Sequence, residues 1–257
     1  LTTTAINDVS SSSAQSGGNI TSDGGSTILE NGVCFSIEPN PSISDRHTSD
    51  GTGSSSYTSI ISDLVPGTLY YVRAYALNSM GVAYGNEVSF TACPVMTANL
   101  TGPENVCMNE ESVFVTFSAE NGTPPYTFSY TVNESGSRTI TTTTGNSVNL
   151  EIVTDHADVY QFSLENVRDA SPEGCVEYLS EIGLRVTVNT RPELSATVTN
   201  VTCTGCTDGA VDLTVTEGRP EYAYFWTGPE GFTSTGEDVS AIGEGLYTVL
   251  VSDANNC

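Results

Sequence analysis

Seven cysteines, two histidines and 31 carboxylates are the residues of this chain whose types could do chemistry. The cysteines are Cys34, Cys93, Cys107, Cys175, Cys203, Cys206 and Cys257. An odd count leaves at least one without a partner inside the chain. Cys203-Thr204-Gly205-Cys206 has the CxxC spacing of thiol–disulfide and zinc sites. A redox CxxC needs a helix N-terminus to stabilise its thiolate, and no helix is expected around it. A zinc site needs a second ligand pair, which the sequence does not supply. These cysteines therefore read as structural.

A nucleophilic triad needs a base, and only His47 and His156 are available. Both sit in polar, turn-rich stretches without a Gly-x-Ser-x-Gly elbow, so they read as exposed loop histidines and the chain as non-enzymatic. Neither a Walker loop nor a Gly-x-Gly-x-x-Gly opening a helix is present. Calcium takes six to eight oxygen ligands, and Asp45 with Asp50, or Asp155 with Asp158, are candidates to clamp one. No EF-hand spacing supports this, so no cofactor is expected beyond that possible structural calcium.

The rows Tyr126/Phe128/Tyr130 and Tyr222/Tyr224/Trp226 put aromatic residues two apart on one strand face. Such a face stacks sugars or fills a core; the core is the stronger reading. Asn19, Asn99, Asn121, Asn133 and Asn200 satisfy the Asn-x-Ser/Thr sequon, which matters only in a host with that pathway.

The elements that position these groups are strands. Thr, Ser, Gly and Asn alternate with Val, Ile, Tyr and Phe, the chemistry of pleated sheet and turn, and no amphipathic helix stands out. In Leu64-Val-Pro-Gly-Thr-Leu-Tyr-Tyr-Val-Arg-Ala-Tyr-Ala-Leu-Asn78, a Pro-Gly corner leads into a strand. There Tyr70, Val72, Ala74 and Ala76 share one face. The device returns at Val159-Tyr160 and at Leu246-Tyr247. A tyrosine opening a late strand, its hydroxyl tied back to the preceding corner, marks immunoglobulin-like sandwiches. Three corners imply an all-β chain of three tandem sandwiches forming an elongated rod. The expected units are 1–92, 93–190 and 191–257. Tyr70, Tyr126, Tyr160, Tyr222, Trp226 and Tyr247 are the expected core aromatics.

The second and third units repeat in register. Cys107 and Cys203 each lie fifteen residues before a Gly-x-Pro turn, at Gly122 and Gly218, and Asp169-Ala170 and Asp253-Ala254 each precede a cysteine. Shared spacing with different fillers is the mark of an internal repeat.

Net charge is −24, from 31 acidic and 7 basic residues. Such a surface repels phosphate backbones and anionic lipid, which excludes nucleic-acid partners. No apolar run approaches the roughly 20 residues of a membrane span, so no insertion is expected. Leu1 is not a start methionine, and the third sandwich stops short of a final strand. The chain is expected to be a window on a longer, secreted, disulfide-bonded polypeptide.

Asn31-Gly32-Val33-Cys34-Phe35-Ser36, the Leu64–Asn78 stretch and Tyr84-Gly85-Asn86-Glu87-Val88-Ser89-Phe90 resemble a fibronectin-III-like repeat of the kind found in large surface proteins of gliding bacteria. Cys203-x-Gly-x-x-Asp208-Gly209, Gly218-x-Pro220-x-Tyr222-x-Tyr224-x-Trp226 and Asp253-Ala254-Asn255-Asn256-Cys257 resemble the SprB-type repeat of gliding-motility adhesins. Glu221 stands where that pattern has proline, and Cys206 is additional. The resemblance implies a non-catalytic, adhesive stalk or filament segment at the cell surface, exported by type IX secretion. It implies partners among neighbouring domains of the same polypeptide, identical chains in a filament and cell-surface glycans. The alternative is an accessory carbohydrate-binding or spacer array of a secreted polysaccharide-degrading enzyme. Repeat position favours Cys107–Cys175 and Cys203–Cys257 as disulfides. Opposite-end parity in a sandwich argues instead for Cys93 as the partner of Cys175. Cys34, on a strand beside Phe35, is expected as a buried free thiol.

Overall fold

In the computed structural model, which describes residues 1–53 and 55–257, 22 strands fall into three successive pairs of sheets. The only helical element among the described residues is a single 3-10 turn at Pro229–Gly231. The chain is all-β.

The first pair is built from β1 (Thr2–Thr3), β2 (Ala14–Asn19), β3 (Glu30–Ser36), β4 (Arg46–His47), β5 (Ser56–Ile61), β6 (Leu69–Asn78), β7 (Gly81–Tyr84) and β8 (Val88–Thr91). One sheet runs β1-β2-β5; the other runs β4-β3-β6-β7, with β8 also paired to β6. The alternation of β6 does what its sequence dictates: Tyr70, Val72, Ala74 and Ala76 are all buried. Tyr70 packs between Phe35 and Phe90, at ring-centroid distances of 6.4 and 5.9 Å. Tyr75, on the opposite face, is buried too. The polar loop around β4 covers it, since its hydroxyl donates to the Thr48 carbonyl at 2.6 Å and His47 meets its ring edge-on. At Gly17, φ is +156° and a Cβ would lie 2.0 Å from the Tyr57 carbonyl oxygen, so only glycine lets β2 and β5 approach.

The second pair contains β9 (Thr97–Thr101), β10 (Asn105–Cys107), β11 (Phe114–Glu120), β12 (Thr127–Val132), β13 (Arg138–Thr141), β14 (Ser147–Glu151), β15 (Asp158–Arg168) and β16 (Val176–Asn189). The sheets are β14-β11-β9 and β10-β16-β15-β12-β13. Phe117 sits between Phe128 and Tyr130, at 5.7 and 4.8 Å, in a core of nineteen buried residues. Short β10 pairs parallel with the end of β16, placing Cys107 beside Asn189.

The third pair contains β17 (Pro192–Thr199), β18 (Gly209–Glu217), β19 (Ala223–Thr227), β20 (Thr233–Ser234), β21 (Val239–Ile242) and β22 (Thr248–Ser252), in sheets β17-β18-β21 and β20-β19-β22. Five residues form its buried core: Val211, Leu213, Trp226, Val239 and Ile242. Trp226 donates from Nε1 to the Gly236 carbonyl at 3.0 Å, as a buried indole must. Counterparts of β10 and β16 are absent among the described residues. Leu194 and Val198, cross-strand from Val215 and Val211, are therefore 46% and 61% exposed.

Of the expected core aromatics, Tyr70, Tyr126 and Trp226 are buried. Tyr160 and Tyr247 only pack against their cores from the side, and Tyr222 stands outside the third core. Each nonetheless ties its hydroxyl back to the corner before its strand. Tyr160 donates to the Val153 carbonyl at 2.9 Å, Tyr247 to Gly243 at 3.3 Å and Tyr222 to Glu217 at 2.7 Å.

Candidate functional site: the two joints

The most organised chemistry lies where one sandwich meets the next. Two copies of one corner build it, each around a buried aspartate 5% exposed. In the loop between β15 and β16, Asp169 Oδ2 accepts from the Thr123 amide at 3.0 Å, and Oδ1 from the Ser171 hydroxyl at 2.6 Å. Its own amide donates to the Cys175 carbonyl, and Ala170 donates to Thr123. After β22, Asp253 Oδ2 accepts from the Arg219 amide at 2.8 Å, and Oδ1 from the amides of Asn255 and Cys257 at 2.8 and 2.9 Å. Its amide donates to Cys257, and Ala254 donates to Arg219. Each carboxylate thus stitches a Gly-x-Pro turn to a loop that ends in cysteine. Burial pushes the Asp253 carboxyl up, but the amides of Arg219, Cys257 and Asn255, with the Arg219 charge, hold it below the ordinary carboxylate value.

Both loop cysteines then reach backward across a joint. Cys175 bonds Cys93, with Cα atoms 5.6 Å apart. Cys93 follows β8; its amide donates to the Ser10 carbonyl of the first sandwich while its side chain lies in the second core. Glu173 of the same loop accepts from the Thr91 amide at 3.0 Å, and Val9 packs against the first and second cores together. Cys257 bonds Cys107, with Cα atoms 5.5 Å apart. Cys107 is held in the second sandwich by its pairing beside Asn189, and Asn255 donates across the joint to the Asn189 side chain at 3.1 Å.

The pairs Cys107–Cys175 and Cys203–Cys257 are therefore corrected. β16 separates the first pair, since Cys175 precedes its first residue and Cys107 lies beside its last. Fourteen residues of strand hold the two cysteines about 45 Å apart at roughly 3.3 Å per residue, where a disulfide needs Cα atoms about 4.4–6.8 Å apart. In the third sandwich, Cys203 lies before the start of β18 and Cys257 at the turn after its end. Cys203 instead closes the short loop to Cys206, whose Asp208 accepts from the Thr202 hydroxyl at 2.6 Å. Cys93–Cys175, the alternative that opposite-end parity favours within 93–190, is the bond the structure shows, whereas Cys107–Cys257 crosses the expected units. The signal that points across the joint is positional: Cys93 stands four residues before β9, and the matching place four before β17 is Val188, next to the Asn189 that Cys107 faces.

Cys34 is free and fully buried, its thiol directed at the carbonyls of Pro41 and Arg73. Burial pushes that thiol up to about 11, so it is protonated and inert. His47 and His156 are both exposed. His156 sits between Asp155 and Asp158, whose carboxylates raise its pKa above the ordinary histidine value. Asp45 accepts from the Ser42 amide within its own loop, and Asp50 accepts from the hydroxyls of Thr48 and of Ser59 on β5. Among the described residues, no three His, Cys, Asp or Glu side chains gather as metal ligands. Tyr126, Phe128 and Tyr130 are buried, so that row offers no stacking platform.

The third sandwich has a match outside this chain. Residues 195–231 match the SprB repeat. The match takes in β18, β19, the Cys203–Cys206 loop and Trp226, and stops before the Cys257 corner. Among solved structures, the FN1–FN3 domains of chicken CNTN1 align over 98% of this chain and 91% of that one, at 13% identity and a TM-score of 0.30. Nothing is carried over from a likeness that low. No curated protein matches the chain.

Proposed function

We propose that this chain is a non-catalytic, load-bearing and adhesive segment of a secreted cell-surface protein, acting as stalk or filament material. The observation that carries the reading is the pair of joint-crossing disulfides, Cys93–Cys175 and Cys107–Cys257. A protein that only had to keep each sandwich folded would place its cross-links within sandwiches. These lock one sandwich to the next, which serves a structure that must transmit force along itself. The SprB repeat at residues 195–231 supports a cell-surface setting, disulfides belong to oxidising compartments, and a net charge of −24 limits nonspecific sticking. In this reading the protein takes part in attachment or gliding and leaves the cell by type IX secretion.

The test is immunogold labelling of intact cells with antibody against residues 191–257, paired with attachment under flow after deletion of this segment. Label on the cell surface with attachment reduced is the expected result. Label confined to the medium, with attachment unchanged, contradicts the proposal.

A further inference from the structure

We infer that the cross-links form a covalent short circuit, so that tension between Leu1 and Cys257 extends the first sandwich and the stretch through β10, and leaves the rest of the second sandwich and the third inextensible. The inference deepens the load-bearing reading and rests on it for its meaning in the cell. Its molecular content can be measured on the isolated chain, so failure here is distinct from failure of the attachment assay.

Load follows the shortest covalent path. From Leu1 the backbone runs through β1–β8 to Cys93 and on to Cys107, where the bond to Cys257 completes the path. Residues 108–256 lie on a closed loop beside it. The Cys93–Cys175 bond does not shorten this route, because Cys93 reaches Cys107 sooner along the backbone than through Cys175. Whatever hydrogen bonds break, the loop cannot be drawn out while Cys107–Cys257 is intact.

The first sandwich has the opposite construction. Cys34 is free and the bond at Cys93 closes no loop within this sandwich, so its hydrogen-bond ladders and core alone resist extension. Of the second sandwich, only the stretch carrying its first strands, β9 and β10, lies on the load path and can add length. The chain is thus one yielding element in series with a clamped body, and it regains length when the first sandwich refolds. Opening that sandwich also uncovers Cys34, whose thiol is 0% exposed when folded.

The experiment is single-molecule stretching of the full chain, held by non-thiol tags at both ends, with a thiol-reactive dye in solution. At about 3.5 Å per extended residue, the oxidised protein should reach about 370 Å, against about 900 Å after reduction. Cys175→Ser should leave the limit unchanged at about 370 Å, while Cys107→Ser should lengthen it to about 620 Å, the Cys93–Cys175 bond then setting the path. These limits are covalent, so once disulfide mapping has shown the remaining native bonds in a variant, its reduced stability does not change them. Dye should attach to Cys34 only after the first large rupture. An oxidised chain that extends to about 900 Å, or lengthens with Cys175→Ser, overturns the inference. So does dye uptake at Cys34 before any rupture.

Discussion

The sandwich of β1–β8 keeps Cys34 as a buried thiol, whereas all six later cysteines, Cys93 to Cys257, are cross-linked. The first sandwich encloses Tyr70, Phe35 and Phe90 in its core, and no disulfide closes within it. The third has five buried core residues and leaves Leu194 and Val198 open to solvent. The bond from Cys257 to Cys107 ties the corner of the third sandwich to the second.

That contrast can be broken in graded steps. Trp226→Ala empties the centre of the smallest core and should cost about 3–5 kcal/mol. Urea unfolding should then lose the transition of the third sandwich and leave that of the first in place. Replacing Cys107 and Cys257 together by serine should cost the third sandwich about 2–5 kcal/mol, because a long closed loop is released in the unfolded chain. The first should shift by less than about 0.5 kcal/mol, being remote from the change. Calorimetry resolves the two.

Gly218→Ala is a smaller step. Gly218 has φ +65°, and a Cβ there would lie 3.1 Å from both Asp253 Oδ2 and Pro192. Strain in the left-handed region costs roughly 1–3 kcal/mol, and thermal melting should show it in the third sandwich only. The smallest step is protonation of Asp253. Its folded pKa is depressed, so its contribution is present above the ordinary carboxylate value of 3.8 and is lost as the pH falls through the lower folded value. The melting temperature of the third sandwich should fall across that acid window. Asp253→Asn should start lower and flatten the fall; an unchanged acid slope would detach the carboxylate from the corner.

Sequence alone carried the strands well, because their alternation is a local property of residues two apart. β6 appears with its buried face as read, from Tyr70 through Ala76. The aspartate corners were visible as Asp-Ala pairs before cysteines, though their hydrogen bonds to the Gly-x-Pro turns were not. Short strands escaped notice: β4 has two residues and β10 three, too few for any periodicity. Missing β10 mattered most, for its parallel pairing to β16 carries Cys107 to the joint. End parity within one sandwich is enough to place Cys93 with Cys175, but the Cys107–Cys257 bond depends on which ends of strands meet across sandwiches, and no spacing within one repeat encodes that.

The central claim is that the clamps cross the joints, and disulfide mapping tests it most directly. The oxidised protein would be alkylated, digested without reduction and examined by mass spectrometry. Linked peptides joining Cys107 to Cys257 and Cys93 to Cys175, with Cys34 alone recovered as a free thiol after denaturation, are the predicted result. A peptide joining Cys107 to Cys175, or Cys203 to Cys257, would place the bonds within sandwiches and contradict the account.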